Sequence, residues 1–152
     1  MEYWGPMDSS ALPESLAQIR DDFLELEQGD RLTLLLEFAN ELPQLPARYA
    51  DHPDLLERVV ECQAPVFMFV EVDDRKIVHL HATAPKEAPT TRGFASILSQ
   101  GITGLRVDEV LNLPDDYANT IGLTEAVSAL RIRGMTAMLA RTKRQVREKV
   151  AA

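Results

Sequence analysis

Residues 66–82 read VFMFVEVDDRKIVHLHA and predict the β part of the fold. The runs 66–73 and 76–82 are rich in β-branched, aromatic and other apolar residues, as strands are. The polar residues 73–75 between them are typical of a hairpin turn. A shorter strand is expected just upstream, at Val59 and Val60. Together these segments predict a small antiparallel sheet of about three strands.

Helical patterns flank this sheet on both sides. Upstream, Pro13 suits the first position of a helix whose apolar residues recur every three or four positions, and Gly29 is expected to end it. Asp30 is then expected to cap a second helix that ends at Pro43. Residues 43–54 contain three prolines and predict a loop.

Downstream of the sheet, Thr91 is expected to cap a helix from Arg92 through Ser99. Further helices are predicted at 107–112, after Pro114, and from Arg133 to Lys149. Because the strands are grouped in the middle of the chain and do not alternate with helices, the sequence predicts an α+β fold in which helices pack on the sheet.

The chain length predicts a single domain. The chain has 152 residues, of which 45% are hydrophobic, which is enough for one core. We expect one domain over residues 1–152, with residues 1–11 as a flexible N-terminal arm. No stretch approaches the ~20 apolar residues of a membrane helix, and the N-terminus lacks the pattern of a signal peptide. A cytoplasmic location is the expectation.

The charge distribution excludes some classes of partner. The net charge of −8 argues against nucleic acids and anionic membranes, which bind basic surfaces. Residues 1–61 contain 14 acidic and four basic side chains, whereas residues 131–152 contain one acidic and seven basic. The basic C-terminal helix could therefore lie across the acidic N-terminal half, or it could attract a protein partner.

Cys62 is the only cysteine of the chain. An internal disulfide and a zinc site built from several cysteines are therefore excluded. Residues 63–65 (Gln-Ala-Pro) predict a turn, which would place the thiol on an exposed loop tip. Judged on its position alone, a lone cysteine is more often a small buried hydrophobic residue than a nucleophile.

The histidines do not predict a metal site. His79 and His81 share one face of the second strand with Ile77, while His52 lies on a remote loop. A spatial pair of Cys62 with one of the strand histidines stays open. No phosphate-binding loop, dinucleotide fingerprint or serine-nucleophile motif is present. We therefore expect neither a metal nor a cofactor.

Four stretches, in the same order along the chain, resemble the SufE family of sulfur acceptors. Residues 61–67 (ECQAPVF) correspond to the family's Gly-Cys-x-Ser-x-Val-Trp, and residues 30–43 are similar to its second helix with a Leu-Pro end. Residues 92–94 resemble its Lys/Arg-Gly-Leu, and residues 128–135 its Ser-Pro-Ser-Arg-x-Asn/Gln-Gly-Leu. The resemblance covers roughly residues 12–147.

The same stretches also depart from the family pattern. Glu61 replaces the glycine before the cysteine, Ala64 the serine and Phe67 the tryptophan. In the later segment Ala129 replaces the proline, and Ala126 stands where the family has a histidine. These departures place the chain in a divergent SufE-like branch.

The resemblance implies a SufE/IscU-like fold and a function in iron–sulfur cluster assembly. It implies that Cys62 accepts persulfide sulfur from a SufS-like cysteine desulfurase, stimulates that enzyme and passes the sulfur on, with a downstream cluster scaffold as a further candidate partner. The chain would then be a covalent carrier without a cofactor and not an enzyme in its own right. Glu61, Gln63, Arg92 and Arg131 are the residues implied in partner contact or in support of the thiolate.

The thiolate needs activation under this interpretation. With a free pKa of about 8.5, only a few per cent of a thiol is ionised at pH 7. The adjacent Glu61 should lower that fraction, because a like charge disfavours the anion. We therefore expect activation from the partner's site, or from Arg131 or Arg58 approaching Cys62 in space.

Two other functions remain open at this point. Cys62 could form a sulfenic acid in a thiol redox sensor, or the chain could be a non-catalytic acidic interaction module with an inert, buried cysteine.

Overall fold

The computed structural model describes residues 12–50 and 52–151. The expected N-terminal arm, residues 1–11, lies outside the described residues. Three strands form one antiparallel sheet in the order β1-β2-β3, with β1 at Glu57–Arg58, β2 at Phe67–Val72 and β3 at Val78–Thr83. The predicted α+β class with a small antiparallel sheet is confirmed.

The β2–β3 hairpin forms where residues 66–82 predict it. Phe69 pairs with His81, and Glu71 with His79, across the ladder. The Asp73 carboxylate accepts hydrogen bonds from the backbone amides of Arg75 and Ile77, at 2.9 and 3.0 Å. An aspartate that binds the backbone in this way is a standard means of closing a turn.

The first strand, β1, lies two residues earlier than the sequence predicts. β1 contains Glu57 and Arg58, whereas Val60 is 68% exposed and belongs to the following turn. Val59 still donates its backbone amide to the Val66 carbonyl at 2.9 Å. Pairing with β2 therefore ends at Val59, and the chain leaves the sheet just before Cys62.

Seven α-helices and one short 3₁₀ turn surround the sheet among the residues described. Their bounds are α1 Glu14–Leu24, α2 Gln28–Asn40, α3 Ala47–Ala50, α4 Pro89–Ile102, α5 Val107–Leu111, α6 Tyr117–Thr120 and α7 Ala129–Ala151, with the 3₁₀ turn at Pro53–Leu55. The predicted loop 43–54 thus contains two short helical turns.

The corner between the first two helices differs from the prediction. α1 ends at Leu24, and Gly29 lies inside the first turn of α2 instead of ending α1. The reason is Arg31, whose Nε donates to the carbonyls of Phe23 and Leu26, both at 2.9 Å. A side chain that satisfies the free carbonyls of a helix end can set the end of that helix. Asp30 does not cap α2 but lies in its first turn, where the helix dipole favours a carboxylate.

α4 and α7 both begin earlier than predicted. α4 starts at Pro89, which needs no amide partner at a first helical position, so Thr91 is not its cap. α7 starts at Ala129 instead of Arg133, and the Ser128 hydroxyl accepts the Arg131 amide at 3.3 Å. Both helices therefore begin closer to Cys62 than the sequence predicts.

The core lies between one face of the sheet and the helices α4 and α7. This face of β2 and β3 carries apolar residues that are all buried: Met68, Val70, Val78, Leu80 and Ala82. Gln145 of α7 joins the helix to the sheet, because its Oε1 accepts the Val70 backbone amide at 2.8 Å. α7 is thus fixed against the strand that follows the cysteine loop. No helix among the described residues has the length and apolarity needed to span a membrane.

Candidate functional site

Cys62 lines a cleft of about 320 Å³. Three parts of the chain that are far apart in sequence form its walls. They are the loop after β1 (Glu61, Cys62, Gln63, Ala64), the segment that leads into α4 (Glu87, Ala88, Pro89, Thr91), and the start of α7 (Leu130, Arg131, Gly134). The early starts of α4 and α7 bring both helices to the cysteine.

The Cys62 thiol is buried, so the prediction of an exposed loop tip is wrong in that respect. The residue does lie in a turn between β1 and β2, but it is only 7% exposed. A Cβ atom built on Gly134 would lie 3.1 Å from Cys62 Sγ. The sulfur therefore packs against α7 at a position where a glycine leaves room for it.

The surroundings of Cys62 disfavour its thiolate in this conformation. Burial is the main cause that raises the pKa of Cys62 above its ordinary value, and the Glu61 charge raises it further. The Arg141 charge acts in the opposite direction. The effect of Glu61 agrees in direction with the expectation from the sequence. In this buried conformation Cys62 is therefore a neutral thiol at pH 7.

Glu61 is held by an arginine that the sequence did not single out. Arg141 of α7 donates from Nε and Nη2 to Glu61 Oε1, at 3.1 and 2.7 Å. Its Nη1 donates to Glu57 of β1. Hydrogen bonding to Arg141 is the main cause that lowers the pKa of Glu61, so the carboxylate stays charged. In the sequence, the one feature that pointed towards Arg141 was the basic charge of residues 131–152.

The same network shows where the basic C-terminal helix lies. Arg144 and Gln145 of α7 also donate to the Glu57 carboxylate, Gln145 at 2.9 Å. Side chains of α7 thus pair with acidic residues of the 1–61 segment, as the first of the two interpretations of the charge distribution expects.

The other residues implied by the resemblance lie at different distances from the thiol. Gln63 and Arg131 line the cleft beside Cys62, and both are exposed. Arg92 points elsewhere: its guanidinium donates to the carbonyls of Ala39, at 2.8 Å, and Ala84. Arg58 pairs through the backbone with Phe67 and does not line the cleft.

Comparison with known proteins identifies the family. The family model described as SufE, Fe-S metabolism associated domain, matches residues 17–146. The chain belongs to the SufE family. A SufE-like protein of Mycobacterium tuberculosis is 50% identical over 139 residues, which cover 91% of this chain and 96% of that protein. The resemblance noted in the sequence is therefore confirmed, and the chain has a role in iron–sulfur metabolism.

The chain is also similar to one solved structure and to a plant protein. The solution structure of a hypothetical protein from Thermus thermophilus matches with a TM-score of 0.81 and 35% identity, covering 93% of this chain and all of that one. SufE-like protein 1 of Arabidopsis thaliana, chloroplastic/mitochondrial, is 26% identical over 129 residues, which cover 84% of this chain but 33% of that protein.

The two strand histidines of this SufE chain, His79 and His81, lie on the other face of the sheet from the buried apolar residues. His81 Nε2 lies 2.7 Å from Glu71 Oε1, and His79 Nε2 lies 3.1 Å from Asp73 Oδ2. Within residues 12–50 and 52–151, no three His, Cys, Asp or Glu side chains are grouped so that they could hold a metal ion. Neither strand histidine is among the residues that line the Cys62 cleft.

The Glu71 cluster predicts a loss of stability in acid. Partial burial alone would raise the pKa of Glu71, but hydrogen bonds from Tyr49, Arg48 and His81 outweigh it and lower the pKa to about 2. Since the ordinary value is 4.5, the charged Glu71 stabilises the fold fully above about pH 4.5, and this contribution is lost as the pH falls towards 2. We expect Glu71→Gln to flatten the decline of the unfolding free energy over this range, as measured by urea denaturation.

Tyr49→Phe is the matched variant, because it removes one of the three donors to Glu71. It should give a decline intermediate between those of the wild type and Glu71→Gln. Identical declines in all three proteins would show that the Glu71 cluster does not stabilise the fold.

The packing of Gly134 predicts that a single methyl group exposes the thiol. In Gly134→Ala the new Cβ would lie 3.1 Å from Cys62 Sγ, which is shorter than an ordinary van der Waals contact. The loop can yield more easily than α7, so the thiol should move towards the open side of the cleft. We expect severalfold faster alkylation of Cys62 by iodoacetamide, with no loss of thermal stability, because alanine favours a helix over glycine. An unchanged or slower reaction would contradict this prediction.

Proposed function

We propose that this chain is a sulfur acceptor that takes persulfide sulfur from a SufS-like cysteine desulfurase onto Cys62. It then passes the sulfur on for iron–sulfur cluster assembly and stimulates the desulfurase by emptying its active cysteine. The observation that carries the proposal is the position of Cys62. The single thiol of a SufE-family chain lies at a cleft that has room for a second sulfur atom.

The proposed step is an exchange between sulfur atoms. The Cys62 thiolate attacks the terminal sulfur of the desulfurase persulfide, and a new S–S bond forms on Cys62. The S–S bond in the desulfurase breaks at the same time, and its cysteine leaves as a thiolate. The transferred sulfur is neither oxidised nor reduced, so the step needs no redox partner. Cys62 releases its thiol proton before the attack, and the departing thiolate of the desulfurase takes up a proton afterwards, so the step neither gains nor loses a proton overall.

The buried position of Cys62 suits a carrier. A persulfide that lies inside the cleft is shielded from thiols and oxidants in solution during transfer between proteins. Since Cys62 is the only cysteine, the bound sulfur cannot be lost by formation of an internal disulfide. The cleft also lies at the N-terminal end of α4, where the helix dipole favours an anionic sulfur.

The attack requires a conformation in which Cys62 is exposed. Burial keeps Cys62 neutral, whereas the reaction needs a thiolate with access to the partner's sulfur. We propose that binding of the desulfurase exposes the loop and that Gln63 and Arg131, both exposed beside Cys62, contact the partner there. Arg92 supports the site from a distance, because it ties the start of α4 to α2 and to the end of β3.

The redox-sensor alternative receives less support from the site. Cysteines that sense oxidants are accessible and have a low pKa, whereas Cys62 is buried and its pKa is raised. The remaining alternative, an interaction module with an inert cysteine, is separated from the proposal by experiment.

The test is the intact mass of the chain after incubation with a SufS-like desulfurase and free cysteine, without reductant. We expect a gain of one sulfur atom, located on Cys62 by peptide mapping and removed by a reductant. A gain of oxygen with peroxide, and none of sulfur with the desulfurase, would favour the redox sensor. A thiol that stays unmodified in both reactions would favour the inert module.

A further inference from the structure

The loop that carries Cys62 has few backbone ties to the rest of the fold. Cys62 donates its amide to the Val59 carbonyl at 3.1 Å, and Val66 donates to the Ala64 carbonyl at 2.9 Å. Among the residues that the structure describes, the backbone hydrogen bonds of this loop stay within positions 59–66. Side chains must therefore hold the loop against α7.

Among the described residues, the ion pair of Glu61 with Arg141 is the salt bridge that joins this loop to α7. Two nitrogens of the guanidinium donate to one oxygen of Glu61, in charge-assisted hydrogen bonds of 3.1 and 2.7 Å. The Arg141 side chain is 21% exposed and the Glu61 side chain 49%, so the pair is only partly screened by solvent. Glu61 immediately precedes Cys62, and the thiol cannot leave α7 far without pulling on this pair.

The two ends of the ion pair differ in how firmly they are held. On the helix side, Arg141 also binds Glu57 of β1, and Gln145 one turn later binds the Val70 amide of β2. These contacts fix the Arg141 guanidinium relative to the sheet. On the loop side, Glu61 lies in a turn with exposed neighbours at Val60 and Gln63. We therefore expect the loop, and not the helix, to move when the pair breaks.

We infer that Arg141 is a positioning residue that holds the Cys62 loop closed through Glu61, and that release of this ion pair controls access to the thiol. The role given to this ion pair rests on the proposed function, since a carrier must shield its sulfur in solution and expose it at the partner. The closing contact itself is independent of any partner. It is therefore tested on the isolated chain with a small reagent.

The test is the rate of Cys62 alkylation by iodoacetamide as a function of pH, in Arg141→Gln, Glu61→Gln and the double variant. The plateau rate at alkaline pH reports access, because the thiol is ionised in every variant. The pH at the midpoint of the rate curve separately reports the pKa of Cys62. We expect each single change to raise the plateau about fivefold, in line with the loss of a charge-assisted pair, and the double change to add nothing further.

Arg144→Gln is the matched control. Arg144 also pairs with Glu57 and carries the same charge one turn along α7, but its ion-pair partners are Glu57 and Glu148 and not Glu61. It should leave the plateau rate unchanged. Hydrogen exchange of the backbone amides gives a second readout: Arg141→Gln should speed exchange at residues 60–65 and leave α4 protected. Faster exchange in α4 as well would mean general destabilisation and would overturn the inference.

The inference is also overturned if Arg141→Gln alkylates at the wild-type plateau rate, or if Arg144→Gln accelerates the reaction as much. These outcomes leave the proposed function untouched, because no desulfurase is present. Conversely, a chain that fails to accept sulfur could still show the dependence on Arg141. The two proposals therefore fail separately.

Discussion

Cys62→Ser removes the stimulation of the desulfurase completely, and no sulfur is found on the variant chain: this is the expected result. A serine hydroxyl keeps nearly the shape of the thiol but cannot form a persulfide. The side chain is buried in a loop against Gly134, and because serine is close in size to cysteine, we expect the packing of its neighbours to be kept. The measurement is the rate of alanine formation by the desulfurase at saturating concentrations of each chain.

Cys62→Ala is the second variant, because a buried hydroxyl without a partner costs about 1–3 kcal/mol. Both variants should retain the wild-type circular dichroism spectrum and bind the desulfurase. If either variant still stimulates alanine formation at the wild-type level, stimulation results from binding alone and Cys62 is not the acceptor.

The second large effect concerns the fold and not the chemistry. A Cβ atom on Gly93 of α4 would lie 2.6 Å from the Leu35 backbone carbonyl oxygen of α2 and 2.6 Å from Leu35 Cδ1. Because one of these atoms is backbone, the two helices must move apart to admit a methyl group. We expect Gly93→Ala to lower the free energy of unfolding by about 1–3 kcal/mol, although alanine has the higher helix propensity.

Gly29→Ala serves as the control for this prediction. Gly29 also lies in a helix, but a Cβ atom there would meet nothing within 4 Å. The free energy of unfolding of Gly29→Ala should equal that of the wild type or exceed it by up to ~1 kcal/mol. For a chain of this size, each 1 kcal/mol corresponds to about 2–4 °C in melting temperature. Equal melting temperatures for Gly93→Ala and the wild type would show that α2 and α4 are not packed as closely as described.

Local sequence patterns were sufficient for the β2–β3 hairpin and for the fold class. The alternation in residues 76–82 determines which side chains face the core, and Val78, Leu80 and Ala82 are all buried. The turn residue Asp73 determines where the hairpin closes. Both features depend on neighbours within a few positions, so a single sequence contains the information.

Tertiary contacts account for the features that the sequence did not predict. The end of α1 depends on Arg31, which binds carbonyls in the preceding corner and, at 2.9 Å, the Gly122 carbonyl. The burial of Cys62 depends on Gly134, which lies far along the chain in α7. No periodicity or turn motif connects such positions.

The candidate site shows the same division. The motif resemblance pointed to Cys62, and the cleft brings Gln63 and Arg131 beside it. Arg141 was missed because one arginine among seven basic residues of the last segment carries no individual signal. Its importance becomes visible only when Glu61 is found within hydrogen-bonding distance.

The central claim is that Cys62 receives sulfur directly from a desulfurase persulfide. The most direct measurement starts with a SufS-like desulfurase that has been loaded with persulfide and then freed of excess cysteine. It is mixed with the reduced chain, and the intact masses of both proteins are recorded over time. The account predicts that this chain gains one sulfur atom on Cys62 as the desulfurase loses one, with equal amounts at every time point. If the sulfur stays on the desulfurase while Cys62 remains open to alkylation, the claim is contradicted.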